Sequence, residues 1–234
     1  GVIIEPIPAN NGLLLQRKEY LQFLRDICTE NKTLLIFDEV INGFRIGFTG
    51  AAGYYGIQPD IITYGKIIGG GLPVGMYGSS AEIMRSISPE GNVYQAGTLS
   101  GNPVAMAAGI AQLTECLKPD FYHNLELKTK FLIDQIFSHI GSTASLLKIF
   151  SIGSIFWIAF TDKDVVRTAE AIDADSMKYF RILHKELLER GVYLGPSGYE
   201  VGFICEAHTQ DDLLKTAKAF AEALQIALKQ ETVK

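Results

Sequence analysis

The chain has 234 residues, a formal net charge of -5, 47% hydrophobic residues and 20% charged residues. This composition is typical of a globular α/β protein and argues against a disordered or fibrous chain. The acidic balance offers no basic surface, so we expect no binding to nucleic acid or to an anionic membrane. No apolar run approaches the roughly 20 residues of a membrane span. The three cysteines, Cys28, Cys116 and Cys205, are scattered, which favours buried thiols in a reducing compartment over a disulfide framework or a metal site.

The first third of the chain predicts a β–α–β unit. The apolar run Val2–Ile4 reads as a buried strand that stops at Glu5-Pro6, because proline cannot continue a central ladder. A turn signal follows at residues 10–12. Residues 17–31 carry apolar side chains at helical spacing and lead into a second apolar run, Leu34–Phe37. The two strands should therefore be parallel, with a right-handed crossover.

Two charged residues close neighbouring apolar runs. Asp38 directly follows Leu34–Phe37, and Lys66 follows the run that begins at Ile61. Continuous apolar runs bounded by turn signals are typical of strands in a parallel sheet. Ligand sites in such sheets lie beyond the carboxyl ends of the strands. We therefore expect Asp38 and Lys66 to face one cavity.

An amine and an acid in one cavity suit a particular cofactor chemistry. Burial among apolar groups favours the neutral, nucleophilic form of a lysine amine, and a carboxylate can hold a proton on a heteroaromatic nitrogen. Pyridoxal phosphate uses both groups. Val40, two positions beyond Asp38 on the same face, suits contact with a flat ring. A structural ion pair between Asp38 and Lys66 is the alternative that the spacing leaves open.

The middle of the chain contains glycine and helix signals. We expect glycines 69–71 to let the backbone pass close to a bound cofactor. Gly97 and Thr98 offer an N–H group and a hydroxyl that suit an anionic oxygen. Asn102 followed by Pro103 predicts a helix that runs to about Leu117.

The break at Leu117-Lys118-Pro119 predicts a domain boundary, which gives domains 1–117 and 118–234. In the second domain the pattern predicts helices over 121–140, 176–190 and 209–229, with strands at 155–160 and 192–194. Glu200 lies in a turn-rich loop, where a solvated acid is the alternative to a binding role. This half is expected to form a smaller α/β domain.

Five segments resemble the class III aminotransferases of the fold-type I pyridoxal-phosphate superfamily: VIIEPIPANNG, LLIFDEVINGFR, PDIITYGKIIGGGLPVGMYG, VYQAGTLSGNPVAMAAG and GVYLGPSGYEVGFICEAHT. The resemblance implies an α/β fold. Residues 1–117 would be part of the large cofactor-binding domain, with a mostly parallel sheet and covering helices, and residues 118–234 the small C-terminal domain. Family members carry a long portion before the first segment. We therefore expect a carboxy-terminal part of a longer enzyme, or one piece of a cleaved one whose other piece is a partner.

The resemblance also implies roles around pyridoxal 5′-phosphate and its pyridoxamine form. Lys66 would bond to the cofactor and act as general acid–base, Asp38 would keep the ring nitrogen protonated, and Val40 would lie against the ring. The other implied positions are Gly97, Thr98 and Asn10 for the cofactor, and Glu5 and Glu200 for the substrate. The matching threonine serves the neighbouring subunit in the family, which implies a homodimer with shared sites. No metal site is expected.

Within the family the segments look most like aminomutases, which convert glutamate-1-semialdehyde to 5-aminolevulinate for tetrapyrrole synthesis. These enzymes move the amino group within one small amino-aldehyde substrate. Two alternatives stay open. One is an aminotransferase with an external donor, many of which have Gly-Arg where this chain has Arg45-Ile46. The other is an inactive fragment, because the phosphate loop and a second stacking aromatic would lie upstream. The resemblance implies a cytoplasmic location and leaves a plastid open. Arg45 receives no role, and His208 is predicted to be structural.

Overall fold

The structure is a computed structural model that describes residues 1–141 and 146–231; residues 142–145 and 232–234 of the predicted second domain lie outside this description. The chain divides into two compact units. The first comprises Gly1–Ile7 and Gln16–Phe121, and the second comprises Pro8–Leu15 and the described residues from Tyr122 onward. This division lies close to the predicted boundary after residue 117.

Residues 8–15 group with the second unit, although the predicted boundaries put them in the first domain. Hydrogen bonds explain this placement. The Gly12 N–H donates to the Tyr199 carbonyl over 2.7 Å, and the Leu15 carbonyl accepts from the Arg167 guanidinium. Both partners lie far along the sequence, so no local pattern could have indicated them. The assignment of the units to a cofactor-binding domain and a small domain stays a prediction.

The first unit is built on a four-stranded sheet in the order β1-β2-β3-β4. Its strands are β1 (Val2–Ile4), β2 (Leu35–Asp38), β3 (Ile61–Tyr64) and β4 (Met76–Ser79). The pairs β1–β2 and β2–β3 are parallel, and β4 runs antiparallel to β3. The three predicted strands and their parallel arrangement are confirmed, whereas β4 was not predicted.

Four helices belong to the first unit: α1 (Lys18–Glu30), α2 (Gly50–Tyr55), α3 (Ala81–Met84) and α4 (Pro103–Cys116). Helix α1 buries Leu21 and Cys28 and is the predicted crossover between β1 and β2. Helix α4 begins as predicted, because the Asn102 side chain accepts a hydrogen bond from the Ala105 N–H over 2.9 Å. A short 3-10 turn, Lys66–Gly69, follows β3.

Small residues let helix α4 lie directly against the turn that begins at Lys66. A Cβ atom on Gly109 would come within 2.2 Å of the Ile68 carbonyl oxygen. A Cβ atom on Gly70 would come within 2.4 Å of the Ala108 carbonyl oxygen, and Gly70 also has a φ of 57°, which favours glycine. The structural reason for Gly70 is thus its contact with α4.

The second unit contains a three-stranded antiparallel sheet in the order β5-β6-β7, formed by β5 (Leu147–Ile152), β6 (Ile155–Phe160) and β7 (Gly202–Phe203). Every residue of β6 is buried. The helices are α5 (Phe121–Ile140), α6 (Ser176–Glu189) and α7 (Gln210–Glu231). Their apolar faces and the sheet form one core, which includes Ile136, Ile158, Phe180, Leu183 and Leu224.

The predicted strand over residues 192–194 is wrong, because this run closes helix α6 instead. The Val192 N–H donates to the Leu187 carbonyl over 2.9 Å, and the Gly191 N–H donates to the Leu188 carbonyl over 3.1 Å. With Gly191 at a φ of 78°, these bonds form a Schellman motif. The Leu194 carbonyl contacts Nε2 of His184 at 3.2 Å. These backbone groups are therefore engaged outside any sheet.

Other predictions concern single residues. The helix predicted over 209–229 is present as α7, and Thr209 and Asp212 cap it reciprocally: the Thr209 N–H donates to Oδ2 of Asp212 over 2.9 Å, and the Asp212 N–H donates to Oγ1 of Thr209 over 3.2 Å. All three cysteines are free; Cys28 and Cys116 are buried, but the prediction of a buried thiol is wrong for Cys205, which is exposed.

In the parts of the chain that the structure describes, no helix combines the length and the hydrophobicity that a bilayer crossing requires.

A carboxylate ties helix α1 to the sheet. Oδ2 of Asp60 accepts hydrogen bonds from the Leu35 N–H over 2.7 Å and from the Arg25 guanidinium over 2.8 Å. Burial opposes the charged form of Asp60, but these hydrogen bonds and the Arg25 charge outweigh it and lower the pKa of the carboxyl group.

Asp60→Asn should lower the free energy of unfolding by about 1–2 kcal/mol at pH 7, because it removes a charge-assisted contact with Arg25. A lowered carboxyl pKa stabilises the fold fully above the unfolded-state value of about 4 and is lost as pH falls through the folded-state value. The difference between wild type and variant should therefore shrink below about pH 4. Urea unfolding across pH checks this. Asp26→Asn, on the exposed face of α1, is the matched control; a pH-independent difference would contradict the assignment.

Gly109→Ala should lower the free energy of unfolding by about 2 kcal/mol, because the new methyl group meets a backbone oxygen that cannot move freely. Helix propensity alone predicts a gain of about 1 kcal/mol. Ala111→Gly on the exposed face of α4 measures that propensity effect in isolation. Thermal and urea unfolding of both variants show whether G109A lowers or raises the free energy of unfolding. A stabilised G109A would show that α4 does not press on the turn.

Candidate functional site

Asp38 ends β2 with one carboxylate oxygen fixed. It pairs in register with Thr63 of β3. Its Oδ1 atom accepts hydrogen bonds from the Val40 N–H over 3.0 Å and from the Thr63 hydroxyl over 3.3 Å. The side chain is half-buried. Within residues 1–141 and 146–231 no hydrogen bond reaches Oδ2, so this oxygen can accept a proton donor from a ligand.

Lys66 lies at the same edge of the sheet as Asp38. The strands β2 and β3 are parallel neighbours, and Lys66 begins the turn after β3. Its side chain is exposed, contrary to the expected burial of the amine among apolar groups. Val40 connects the two positions, because its Cγ1 atom lies 3.1 Å from where a Cβ atom on Gly65 would be. The segment after Asp38 thus packs on the residue immediately before Lys66.

Lys66 has a φ of 46°, in the left-handed region that residues with a Cβ atom rarely adopt. Such strain persists only where the surroundings impose it, and it is common at functional sites. Here Gly65 lies against Val40, and the turn after Lys66 lies against helix α4. The fold therefore holds the lysine backbone in a conformation that a free chain would avoid.

Glu39 is a structural residue of the site that the sequence analysis did not identify. Its side chain is completely buried on the face of the strand opposite to Asp38. It accepts hydrogen bonds from the N–H groups of Ala51 and Ala52 over 2.7 and 2.8 Å. Desolvation raises its pKa, and the two hydrogen bonds partly offset this. A Cβ atom on Gly50 would lie 1.9 Å from the carboxylate, so glycine is needed there.

The alternation of side chains between the two faces of a strand could have indicated the structural role of Glu39. If Asp38 points towards a ligand, Glu39 must point to the other side of a covered sheet, where a carboxylate needs hydrogen-bond donors. By binding the start of helix α2, Glu39 fixes the chain directly after Asp38.

Glu5 follows β1 and is the third acidic residue at this carboxyl edge; its side chain is half-buried. The segment that follows is held by Asn42, whose amide donates to the Ile7 carbonyl over 3.0 Å. The other polar atom of Asn42, Oδ1, is buried without a hydrogen-bond partner among the described residues.

Gly97 and Thr98 lie in an exposed loop before helix α4. The Ser100 N–H donates to the Gly97 carbonyl over 3.0 Å, which forms a tight turn. Gly97 lines a cavity of about 630 Å³ whose walls are mostly apolar and include Ile68, Val74, Leu99 and Ile110. Asp38, Lys66 and Thr98 do not belong to the described lining of this cavity.

Asn10 and Glu200 both belong to the second unit, which brings their segments together. The Gly12 N–H donates to the Tyr199 carbonyl over 2.7 Å. The indole N–H of the buried Trp157 donates to the Gly198 carbonyl over 2.8 Å, and a Cβ atom on Gly12 would touch its ring at 3.0 Å. Trp157 is part of the core, and it also supports both loops.

The side chains of these two residues differ in their surroundings. Asn10 is exposed. Glu200 is half-buried and folds back on Gly195, where a Cβ atom would lie 1.9 Å from Oε2. The hydrogen bond between Gly12 and Tyr199 joins the segments that carry the two residues, while the predicted roles of Asn10 at the cofactor and Glu200 at the substrate stay predictions.

Two further residues were left without a chemical role. The Arg45 Nε atom donates to the Ile41 carbonyl over 3.0 Å. Burial lowers the pKa of its guanidinium to about 10, and an electrostatic interaction with Cys116 offsets part of this. Nδ1 of His208 accepts a hydrogen bond from the Cys205 N–H over 3.1 Å. The described parts of the chain contain no group of three or more side chains that could hold a metal ion.

Sequence comparison finds relatives along nearly the whole chain. The profile of the family described as Aminotransferase class-III matches residues 1–228. A Bdellovibrio bacteriovorus protein named glutamate-1-semialdehyde 2,1-aminomutase is 45% identical over 225 residues, which are 96% of this chain and 53% of that protein. A protein of the same name from Akkermansia muciniphila is 48% identical over 219 residues, or 94% of this chain and 51% of that protein. The chain thus spans about half the length of the curated relatives it matches.

Solved structures agree with the fold. An omega-transaminase from Sphaerobacter thermophilus superposes with a TM-score of 0.88 at 30% identity, over 97% of this chain and 52% of that one. A glutamate-1-semialdehyde-aminomutase from Pseudomonas aeruginosa, in complex with PMP, gives a TM-score of 0.82 over 96% of this chain and 51% of that one. At 24% identity the second similarity concerns the fold alone. These matches confirm the predicted α/β class.

The strain at Lys66 can be measured with two matched variants. Lys66→Gly and Lys66→Ala both remove the amine, but only glycine adopts a positive φ without a steric penalty. We expect K66G to be more stable than K66A by about 1 kcal/mol. Urea unfolding of the two variants under one condition checks this. If K66A were equally or more stable, the left-handed conformation at residue 66 would carry no strain.

Proposed function

Because the chain belongs to the class III aminotransferase family, we propose that it supplies the lysine and the acid of a pyridoxal-phosphate enzyme that converts glutamate-1-semialdehyde to 5-aminolevulinate. The observation that carries the proposal is the presence of Asp38 and Lys66 at one carboxyl edge, with Oδ2 of Asp38 open to a ligand. The names of the relatives that are 45–48% identical support the choice of substrate.

The residues present fit pyridoxal 5′-phosphate. A carboxylate oxygen without a hydrogen bond suits the N–H group of a protonated pyridine ring, and an exposed amine suits an aldehyde. Val40 offers a methyl group that lies against Gly65, the residue before Lys66. Gly97 and Thr98 would bind the phosphate, and Asn10 would contact the cofactor. When bound, the cofactor supplies a ring that withdraws electrons from the substrate carbon.

The side chains of this chain then have separate tasks. Oδ2 of Asp38 holds the proton of the ring nitrogen in place. The Lys66 Nζ atom takes the proton from one substrate carbon as general base and returns a proton to the neighbouring carbon as general acid. Glu5 and Glu200 orient the polar groups of the amino-aldehyde. The amino group moves between adjacent carbons of one molecule, so no external donor is consumed.

We also infer a homodimer with shared active sites. The loop that carries Gly97 and Thr98 is exposed, and the apolar side chains of Leu99, Met106 and Ile110 beside it are exposed as well. A second copy that covers them would remove apolar surface from water and carry Thr98 to the neighbouring cofactor. The free cysteines support a reducing compartment, the cytoplasm or a plastid.

A transaminase with an external amino donor is the second candidate, favoured by the similarity to the omega-transaminase at a TM-score of 0.88. The same cofactor residues would serve both reactions. The candidates differ in whether the incoming amine originates from a separate donor molecule.

The two candidates are separated by an assay of 5-aminolevulinate formation from glutamate-1-semialdehyde with pyridoxamine 5′-phosphate at the enzyme concentration and no other amino donor. We expect product, and Lys66→Ala should lower the rate on the order of 1,000-fold because general acid–base catalysis is lost. Lys185→Ala, an exposed lysine on α6, is the control and should keep the wild-type rate. Product that appears only after addition of alanine or glutamate would favour the transaminase instead.

A further inference from the structure

The carboxylate of Asp38 is held asymmetrically. Both hydrogen bonds that it accepts end on Oδ1, and in the described part of the chain none ends on Oδ2. We propose that Thr63 is a positioning residue that keeps Oδ2 of Asp38 directed at the ring nitrogen of the cofactor. This inference rests on the proposed function and deepens it.

The two donors restrain Asp38 in different ways. The Val40 N–H belongs to the turn after Asp38 and therefore moves with it. The Thr63 hydroxyl belongs to the neighbouring strand, and the parallel register places Thr63 directly beside Asp38. Side chains at paired positions of adjacent strands project from the same face. Thr63 is thus the donor that fixes the carboxylate relative to β3, the strand that leads to Lys66.

The direction of the carboxylate depends on both bonds together. A carboxylate can turn about its bond to Cβ, and a single donor leaves much of that freedom. With a second donor from another strand, a turn of the carboxylate plane lengthens both bonds at once. The hydroxyl distance of 3.3 Å is long for an O–H···O bond, so loss of this contact should change the fold stability little.

Substitutions at position 63 can distinguish the positioning of Asp38 from simple packing in the sheet. Thr63 is half-buried, and its strand neighbours Ile61 and Ile62 are apolar. Valine has nearly the shape of threonine without the hydroxyl, whereas serine keeps the hydroxyl and loses the methyl group. If position 63 served only the sheet, Thr63→Val would be harmless and Thr63→Ser the more damaging change.

The test uses ¹⁵N-labelled pyridoxal 5′-phosphate added in excess to wild type, T63V and T63S. The nitrogen chemical shift reports the protonation of the ring, and titration by absorbance gives the dissociation constant. We expect T63V to move the shift towards the unprotonated ring and to weaken binding about 3- to 10-fold, the equivalent of one hydrogen bond. T63S should match wild type in both measurements. Urea unfolding should give nearly equal stability for all three.

The outcomes separate the inference from the proposed function. A protonated ring in wild type and an unchanged shift in T63V would overturn the role of Thr63 and leave the function intact. The same holds if T63S behaves like T63V. Wild-type chain that binds no pyridoxal phosphate, or binds it with an unprotonated ring, would overturn the proposed function and the inference with it.

Discussion

The parallel pairing of β2 with β3 is the constraint on which the site depends. It sets Asp38 beside Thr63 and puts the ends of both strands at one edge, where Lys66 begins the following turn. A shift of this register by one residue would turn Asp38 to the opposite face and place Glu39 at the site. The chemistry proposed for the chain therefore rests on backbone hydrogen bonds between two short strands as much as on the two charged side chains.

The surroundings of the two strands make this register difficult to change. Glu39 is buried against the start of helix α2, where it accepts two backbone hydrogen bonds. Helix α4 lies against the turn after Lys66 through Gly109 and Gly70. Asp60 holds the start of β2 through the Leu35 N–H. A shift of the strands would break these hydrogen bonds or cause a clash with helix α4. Together these contacts therefore support the strained backbone of Lys66.

The sequence predicted those features that local chemistry determines. Apolar runs predicted the three parallel strands of the first sheet, and Asn102-Pro103 and Thr209 predicted the starts of two helices. The prediction of Asp38 and Lys66 at one edge required only the parallel arrangement. Prediction from the sequence failed where a distant partner decides the structure. Residues 8–15 group with the second unit because the Gly12 N–H donates to the Tyr199 carbonyl. The run at 192–194 looked like a strand, but the closure of helix α6 engages its N–H group.

The most direct measurement of the central claim is chemical trapping of the cofactor on the protein. The chain is saturated with pyridoxal 5′-phosphate, reduced with borohydride, digested and mapped by mass spectrometry. The account predicts one stably labelled peptide, with the pyridoxyl group on Lys66, and much weaker labelling when Asp38 is changed to asparagine. Label spread over the exposed lysines, or concentrated on a different one, would contradict it.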